Sequence, residues 1–239
     1  MKKIAAIIAI TIISSSILFA QVTFNYHKDF KRILEQSKDK SSEFYYPKLL
    51  ERFNRNDSTL TDLEVLALQI GFTANSNYKP YQTVSIEREI KDLVWKEKYE
   101  EALIECNKFL KTNPLNFTAL MEKGFAYMKL GKEGSELQKE RFMIVLHSIL
   151  ASGEGTKDSP FFVLSPIDGQ TLITHIFGES IGIMGSGTDA NGNFLDILEM
   201  KKEDGSSKTL YFNINHAAEK MFSESDMKKI NKASKKNKK

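Results

Sequence analysis

The stretch YEEALIECNKFLKTNPLNFTALMEKGFAYMKLGK, residues 99–132, decides the fold. Leu103, Cys106 and Leu110 fall on one apolar side at helical spacing, and Pro114 closes that helix before a second begins. Working outward, the helical pattern runs from Thr83 to Ala151 with breaks at Asn113–Pro114 and Gly131, which predicts helical hairpins. Upstream, Phe24, Phe30, Ile33 and Leu34 fit one helical face, and Pro47 in YYPKLLERF (45–53) sits in a first turn, where its missing N–H costs nothing. Thr61 and Glu64 form a capping box, with Leu60 and Val65 placed to close a hydrophobic staple. The helix they open carries Leu63, Leu66, Ala67 and Ile70 and is expected to stop at Gly71, with a loop over 72–83.

The pattern changes after Gly153. SGEGTKDSP (152–160) is a polar, Gly-rich connection, and Phe161–Leu164 is a short apolar strand. Ser165 and Pro166, with Asp168 three residues after the serine, predict a helix N-cap ahead of the apolar face from Leu172 to Phe177. Three strand-like runs follow at 180–186, 194–201 and 208–214, joined by turns at Asn191–Gly192 and 203–207. A last helical turn or two covers 216–222. The predicted class is α+β: an all-α helical-hairpin region over 21–152, then a small antiparallel α/β domain over 153–222.

Both chain ends differ from the middle. Residues 1–20 carry two lysines, then an uncharged apolar run ending at Ala20, the layout of a secretory signal peptide. The apolar run is at the short limit for a bilayer span and is interrupted by Ser14, Ser15 and Ser16, so a cleaved leader is expected and not a transmembrane anchor. Nine of the 34 basic residues lie in 1–20 and 228–239, which leaves 25 against 31 acids, a net of −6, for the body between. The lysine-rich tail over 223–239 reads as disordered and able to meet an anionic surface through charge. With 41% hydrophobic residues the chain is no collagen or disordered polymer, and with one cysteine it is no disulfide scaffold. Cys106, on an apolar helix face with nothing electropositive beside it, reads as a structural thiol.

The 99–132 stretch resembles a tetratricopeptide repeat (TPR). Ala102, Pro114, Gly124, Ala126 and Tyr127 stand at familiar positions, and Tyr99 and Glu133 are 34 residues apart, one repeat length. Ile90 and Glu136 depart from the pattern, which implies two degenerate hairpins over about 83–151. Several phrases also resemble the domain-of-unknown-function 4919 family of exported Bacteroidota proteins: YYPKLLERF (45–53), DSTLT (57–61), NYKPY (77–81), SGEGTKDSPFFVLS (152–165) and LYFNI (210–214), in order along the chain. That resemblance implies an exported, periplasmic or secreted protein, and brings no activity, ligand or catalytic residue.

No catalytic motif stands out. Asp189 to Asn193 has acids and amides like a calcium loop, but Phe194 and Met200 occupy the positions where that loop needs Gly and Glu. Gly153 to Thr156 lacks the Lys-Ser/Thr ending of a phosphate loop. His27, His147, His175 and His216 are scattered without ligand spacing, so no metal and no cofactor are expected. Tyr45, Tyr46, Arg52, Tyr78, Tyr81 and Trp95 are the candidate binding residues, since Tyr and Trp supply contact area at low entropic cost. The expectation is a non-enzymatic binding or scaffold module for an envelope protein or peptide, with no nucleic-acid partner. The alternative is a periplasmic hydrolase with a site between the two domains near Glu154, Asp158 and His175.

Overall fold

A computed structural model describes residues 24–221, so the leader and the lysine tail lie outside the described residues. Seven helices come first: α1 (Tyr26–Gln36), α2 (Tyr46–Asn54), α3 (Asp62–Phe72), α4 (Pro80–Trp95), α5 (Tyr99–Leu110), α6 (Phe117–Lys129) and α7 (Ser135–Ala151). A two-residue strand β1 (Phe161–Phe162) precedes a short helix α8 (Asp168–Thr171), which runs on as one π-helical turn, Leu172–Ile176. Strands β2 (Ser180–Thr188), β3 (Phe194–Lys201) and β4 (Ser207–Asn213) and helix α9 (Asn215–Met221) complete the α+β fold.

Local chemistry explains most boundaries. Thr61 and Glu64 cap α3 reciprocally: the Thr61 hydroxyl accepts from the Glu64 N–H, and the Glu64 carboxylate accepts from the Thr61 N–H at 2.9 Å. Asn25 and Asn116 cap α1 and α6 through their side-chain oxygens. Two boundaries fall elsewhere than the pattern suggests. Helix α3 passes through Gly71 to Phe72, because Gly71 serves a close approach and not a stop: a Cβ there lies 2.9 Å from Tyr46 Cδ2 and 3.0 Å from Ser37 Cβ. The long helical run starts at Pro80, not Thr83, and breaks a third time at residues 96–98, where Glu97 takes a left-handed φ of 57° without any glycine.

The sheet order is β1–β4–β3–β2. The β2–β3–β4 meander is antiparallel, and its turns use positive φ at Gly192 and Gly205. β1 adds in parallel beside β4, with Phe161 opposite Phe212, so the sheet is mixed and not purely antiparallel. The 152–160 connection folds back on itself: the Glu154 N–H donates to the Ser159 carbonyl at 2.8 Å, and Gly153 packs where a Cβ would stand 2.4 Å from the Pro160 oxygen.

One apolar cluster runs through both parts, joining Leu49, Leu66, Ile70, Phe117 and Val145 of the helices to Phe162, Leu172 and Phe212 of the sheet region. A smaller cluster of Ile90, Cys106, Phe109 and Ala119 packs α4, α5 and α6 together. Burial pushes the Cys106 thiol up to about 12, which keeps it protonated and unreactive.

Gly71→Ala tests the packing. Ala is the better helix former by about 1 kcal/mol, so propensity alone favours the variant. The clash with Tyr46 and Ser37 opposes it, and overpacking at such a contact costs about 1–3 kcal/mol. A lowered urea midpoint at unchanged m-value is expected; a raised midpoint removes the close-approach explanation.

Candidate functional site

A cleft of about 910 Å³ opens along the helical region. Lys91 and Trp95 of α4, Tyr99 of α5 and Met121, Glu122 and Phe125 of α6 form one side; His175 and Ile176 of the π turn face them. The cleft therefore lies where the helical hairpins meet the chain entering the sheet. π turns recur at functional sites because the widened turn re-aims side chains, and here it sets His175 and Ile176 on the cleft wall.

Trp95 closes α4 and is 87% exposed, a large apolar surface with no internal role. Tyr99 meets the edge of Phe125 with ring centroids 6.2 Å apart, and Lys129 Nζ lies 5.3 Å from the Phe125 centroid. Glu122 occupies the apolar stripe of α6 with Ala119 and Ala126 and is buried. Burial pushes its carboxyl up to about 7, with Lys91 pulling the other way. His175 is held below its usual range by partial burial and by the Lys91 charge. The arrangement offers aromatic contact, two cations in Lys91 and Lys129, and in Glu122 a group that switches between donor and acceptor near neutral pH.

Of the six candidate binding residues, only Trp95 reaches this cleft. Tyr78 and Tyr81 line a second cleft of about 510 Å³ beside Lys220 and Met221. Tyr78 is buried there, and its hydroxyl donates to the Leu164 carbonyl at 2.8 Å, so its ring is part of the core. Tyr46 packs over Gly71, and Tyr45 is half-buried at the start of α2. Arg52 donates to Asp57 at 2.6 Å, to Glu64 and to Thr59, which uses its guanidinium to fasten α2 to the start of α3.

The structure does not gather Glu154, Asp158 and His175. Glu154 and Asp158 are exposed on the folded-back 152–160 loop, and Asp158 borders Asn25, Asp189 and Asn191, while His175 faces Lys91 and Glu122. The Asp189 carboxylate accepts from the N–H groups of Asn191 and Asn193, both at 2.8 Å, so it builds the hairpin turn. His175 stands apart from the two acids expected beside it, and Glu122, which it faces instead, is not singled out by the sequence analysis; its visible signal is a carboxylate inside an apolar helical stripe.

A second polar group lies behind the cleft. Glu87 and Asp168 are 0% and 1% exposed. The Ser165 hydroxyl donates to Glu87 Oε1 at 2.9 Å, and the N–H groups of Leu164 and Ser165 donate to Asp168 Oδ2 at 3.1 and 2.8 Å. The serine thus does not cap a helix in the expected way: the helix starts at Asp168, whose side chain reaches back to Ser165. Among the described residues no three His, Cys, Asp or Glu side chains gather to hold a metal, and no helix is long and apolar enough to cross a membrane.

Fold and cleft together define an α+β protein with an aromatic-lined concave surface on its helical region. The chain belongs to the family described as domain of unknown function (DUF4919), whose model matches residues 31–223. Comparison with curated proteins and with solved structures returns no match.

Glu122→Gln tests the electrostatics of the cleft. The folded carboxyl is raised to about 7, so stability present in acid is lost as pH rises through that value. Glutamine lacks the titration. Unfolding free energies of the two proteins from urea titration are expected to be similar at pH 5, with the variant ahead by up to about 3 kcal/mol at pH 8.5. Parallel pH profiles contradict the assignment.

Proposed function

We propose that this is an exported, non-enzymatic binding protein that holds a peptide or protein segment in the cleft between α4, α6 and the π turn. The observation that carries the reading is Trp95, the chain's one tryptophan, standing exposed at the mouth of a cleft walled by Tyr99, Phe125 and Met121. Rigid aromatic anchors around a recess are what peptide recognition uses, because they give contact area with little side-chain entropy to lose. The TPR-like spacing of 99–132 supports the same reading, since such hairpins present concave surfaces to partner segments. The leader-like residues 1–20 support export and a periplasmic partner.

Two titratable groups of shifted affinity in one cleft, Glu122 and His175, favour hydrolysis of envelope material as a second reading. It requires turnover that Glu122→Gln abolishes while binding remains.

The binding reading is tested with pooled, fluorescently labelled hexapeptides followed by anisotropy, and with Trp95 emission as the internal reporter. Trp95→Ala and Phe125→Ala are expected to weaken the retained peptides by roughly tenfold or more, as for anchors at an interface centre. Unchanged melting temperatures exclude misfolding as the cause. Peptides that bind wild type and Trp95→Ala equally well overturn the assignment of the cleft, and so does a complete absence of binding.

A further inference from the structure

The α4 wall of the cleft is joined to the turn that opens the other wall by a buried hydrogen bond between Ser165 and Glu87, beside the buried Asp168 carboxyl. Glu87 stands on α4 two turns before Trp95, and Asp168 opens the helix whose π turn carries His175 and Ile176 two turns later. Between them sits Ser165, which gives its hydroxyl to Glu87 and its N–H to Asp168. Glu87 Oε2 and Asp168 Oδ1 have no hydrogen-bond partner, and among the described residues neither carboxyl is in an ion pair. Two such groups at this depth do not both carry charge in neutral water-free surroundings: desolvation and their mutual repulsion each favour a proton.

We propose that the Glu87–Ser165–Asp168 cluster is a pH-operated latch, which holds α4 against the turn ahead of the 168–176 helix in acidic solution and loosens the cleft walls as the solution becomes neutral and then alkaline. The latch rests on the reading of the cleft as the binding site, because it regulates the spacing of that site's two walls.

The surroundings assign the titration to this pair. Burial raises both groups, Glu87 to about 7 and Asp168 well above the usual range, and the neighbouring Glu87 carboxyl raises Asp168 further. The polar side chains of Asn116 in the α5–α6 loop, Ser165 and Thr83 lie close enough to favour the Glu87 charge, and so, more weakly, does Lys91 of α4. Ahead of α4, Tyr78 is raised by its own burial and keeps its proton throughout, as do Tyr26 and Tyr81 around it. From α9, the His216 Nε2–H donates to the Val163 oxygen at 2.8 Å, and burial lowers the ring to about 3, so it stays neutral. From α6, the Thr118 hydroxyl lies 3.0 Å from that of Thr171 and adds no charge. Glu122 of α6 titrates near the same pH but on the cleft side of Lys91, and it needs its own control. The sign follows from the raised values: the stability the protonated pair contributes is present in acid and lost as pH rises through about 7.

The test is hydrogen exchange of the Leu164 and Ser165 amides, the two that Asp168 holds, between pH 6 and pH 8.5, corrected for the intrinsic rate. Wild type is expected to lose roughly tenfold or more of its protection over that range, about the effect of one pKa unit. Glu87→Gln is expected to keep its protection, and Glu122→Gln to lose it as wild type does. Asp168→Asn serves as the second latch variant if Glu87→Gln does not fold. Equal losses in wild type and the latch variants overturn the latch, as does a flat wild-type profile or a loss abolished by Glu122→Gln. Peptide binding at pH 6 and its dependence on Trp95 report on the cleft separately, so the latch can fail while the cleft stands.

Discussion

The structure depends on satisfying the backbone of one segment, residues 161–168, where the chain passes from the helices into the sheet. This segment is buried, and every buried N–H and C=O needs a partner. β1 is only two residues long and cannot supply them through a ladder. Distant side chains do so instead. The Phe162 N–H donates to the Ser152 hydroxyl at 2.8 Å, the Val163 oxygen pairs with His216 Nε2, the Leu164 oxygen accepts from Tyr78, and Asp168 takes the N–H groups of Leu164 and Ser165. Asp168 closes the segment on itself, while the bonds from Ser152, His216 and Tyr78 each tie a distant part of the chain to it, which is why one apolar core covers both the helices and the sheet.

Aromatic stacking follows from that arrangement. His216 can pair with Val163 only if its ring enters the core, and there it lies against Phe162 with centroids 4.5 Å apart and planes at 22°. Tyr26, Phe30 and Tyr78 pack around the same imidazole, which brings α1, the loop before α4 and α9 to a common point. A charged imidazole has no counter-charge there, so burial keeps the ring neutral. A polar residue at the centre fixes which faces may meet, because a shift of any element leaves the Val163 oxygen without a partner.

What the sequence discloses follows the range of each interaction. The Thr61–Glu64 box and the Asn191–Gly192 turn are legible because all their partners lie within a few residues. The break at Glu97 is not, since Lys96, Glu97 and Lys98 carry no turn residue and the strain is sustained by packing. The relation of Ser165 to Asp168 is half legible. The three-residue spacing marks a helix start, but whether serine caps forward or aspartate reaches back depends on Glu87, 78 residues away, which engages the serine hydroxyl. Tyr78 has the composition of a contact residue, yet Leu164, 86 residues on, draws its hydroxyl inward. Trp95 keeps its place in the candidate site because no such distant partner claims it.

The cleft is a consequence of the same segment. Glu87 on α4 and Tyr78 just ahead of it anchor the helix to this segment, and the last two turns of α4, together with α6 and the π turn, wall the cleft. Each carboxyl behind the cleft is engaged through one oxygen, Glu87 by the Ser165 hydroxyl and Asp168 by backbone N–H groups, whereas the aromatic surfaces in front of it meet solvent. A buried carboxyl pair is poor stabilisation, since apolar side chains of similar volume usually pack there at no loss. Its presence beside a concave surface is best explained by geometry: two groups that accept only certain partners set the spacing of the walls from behind, and the edge contact of Tyr99 with Phe125 joins α5 to α6 in front.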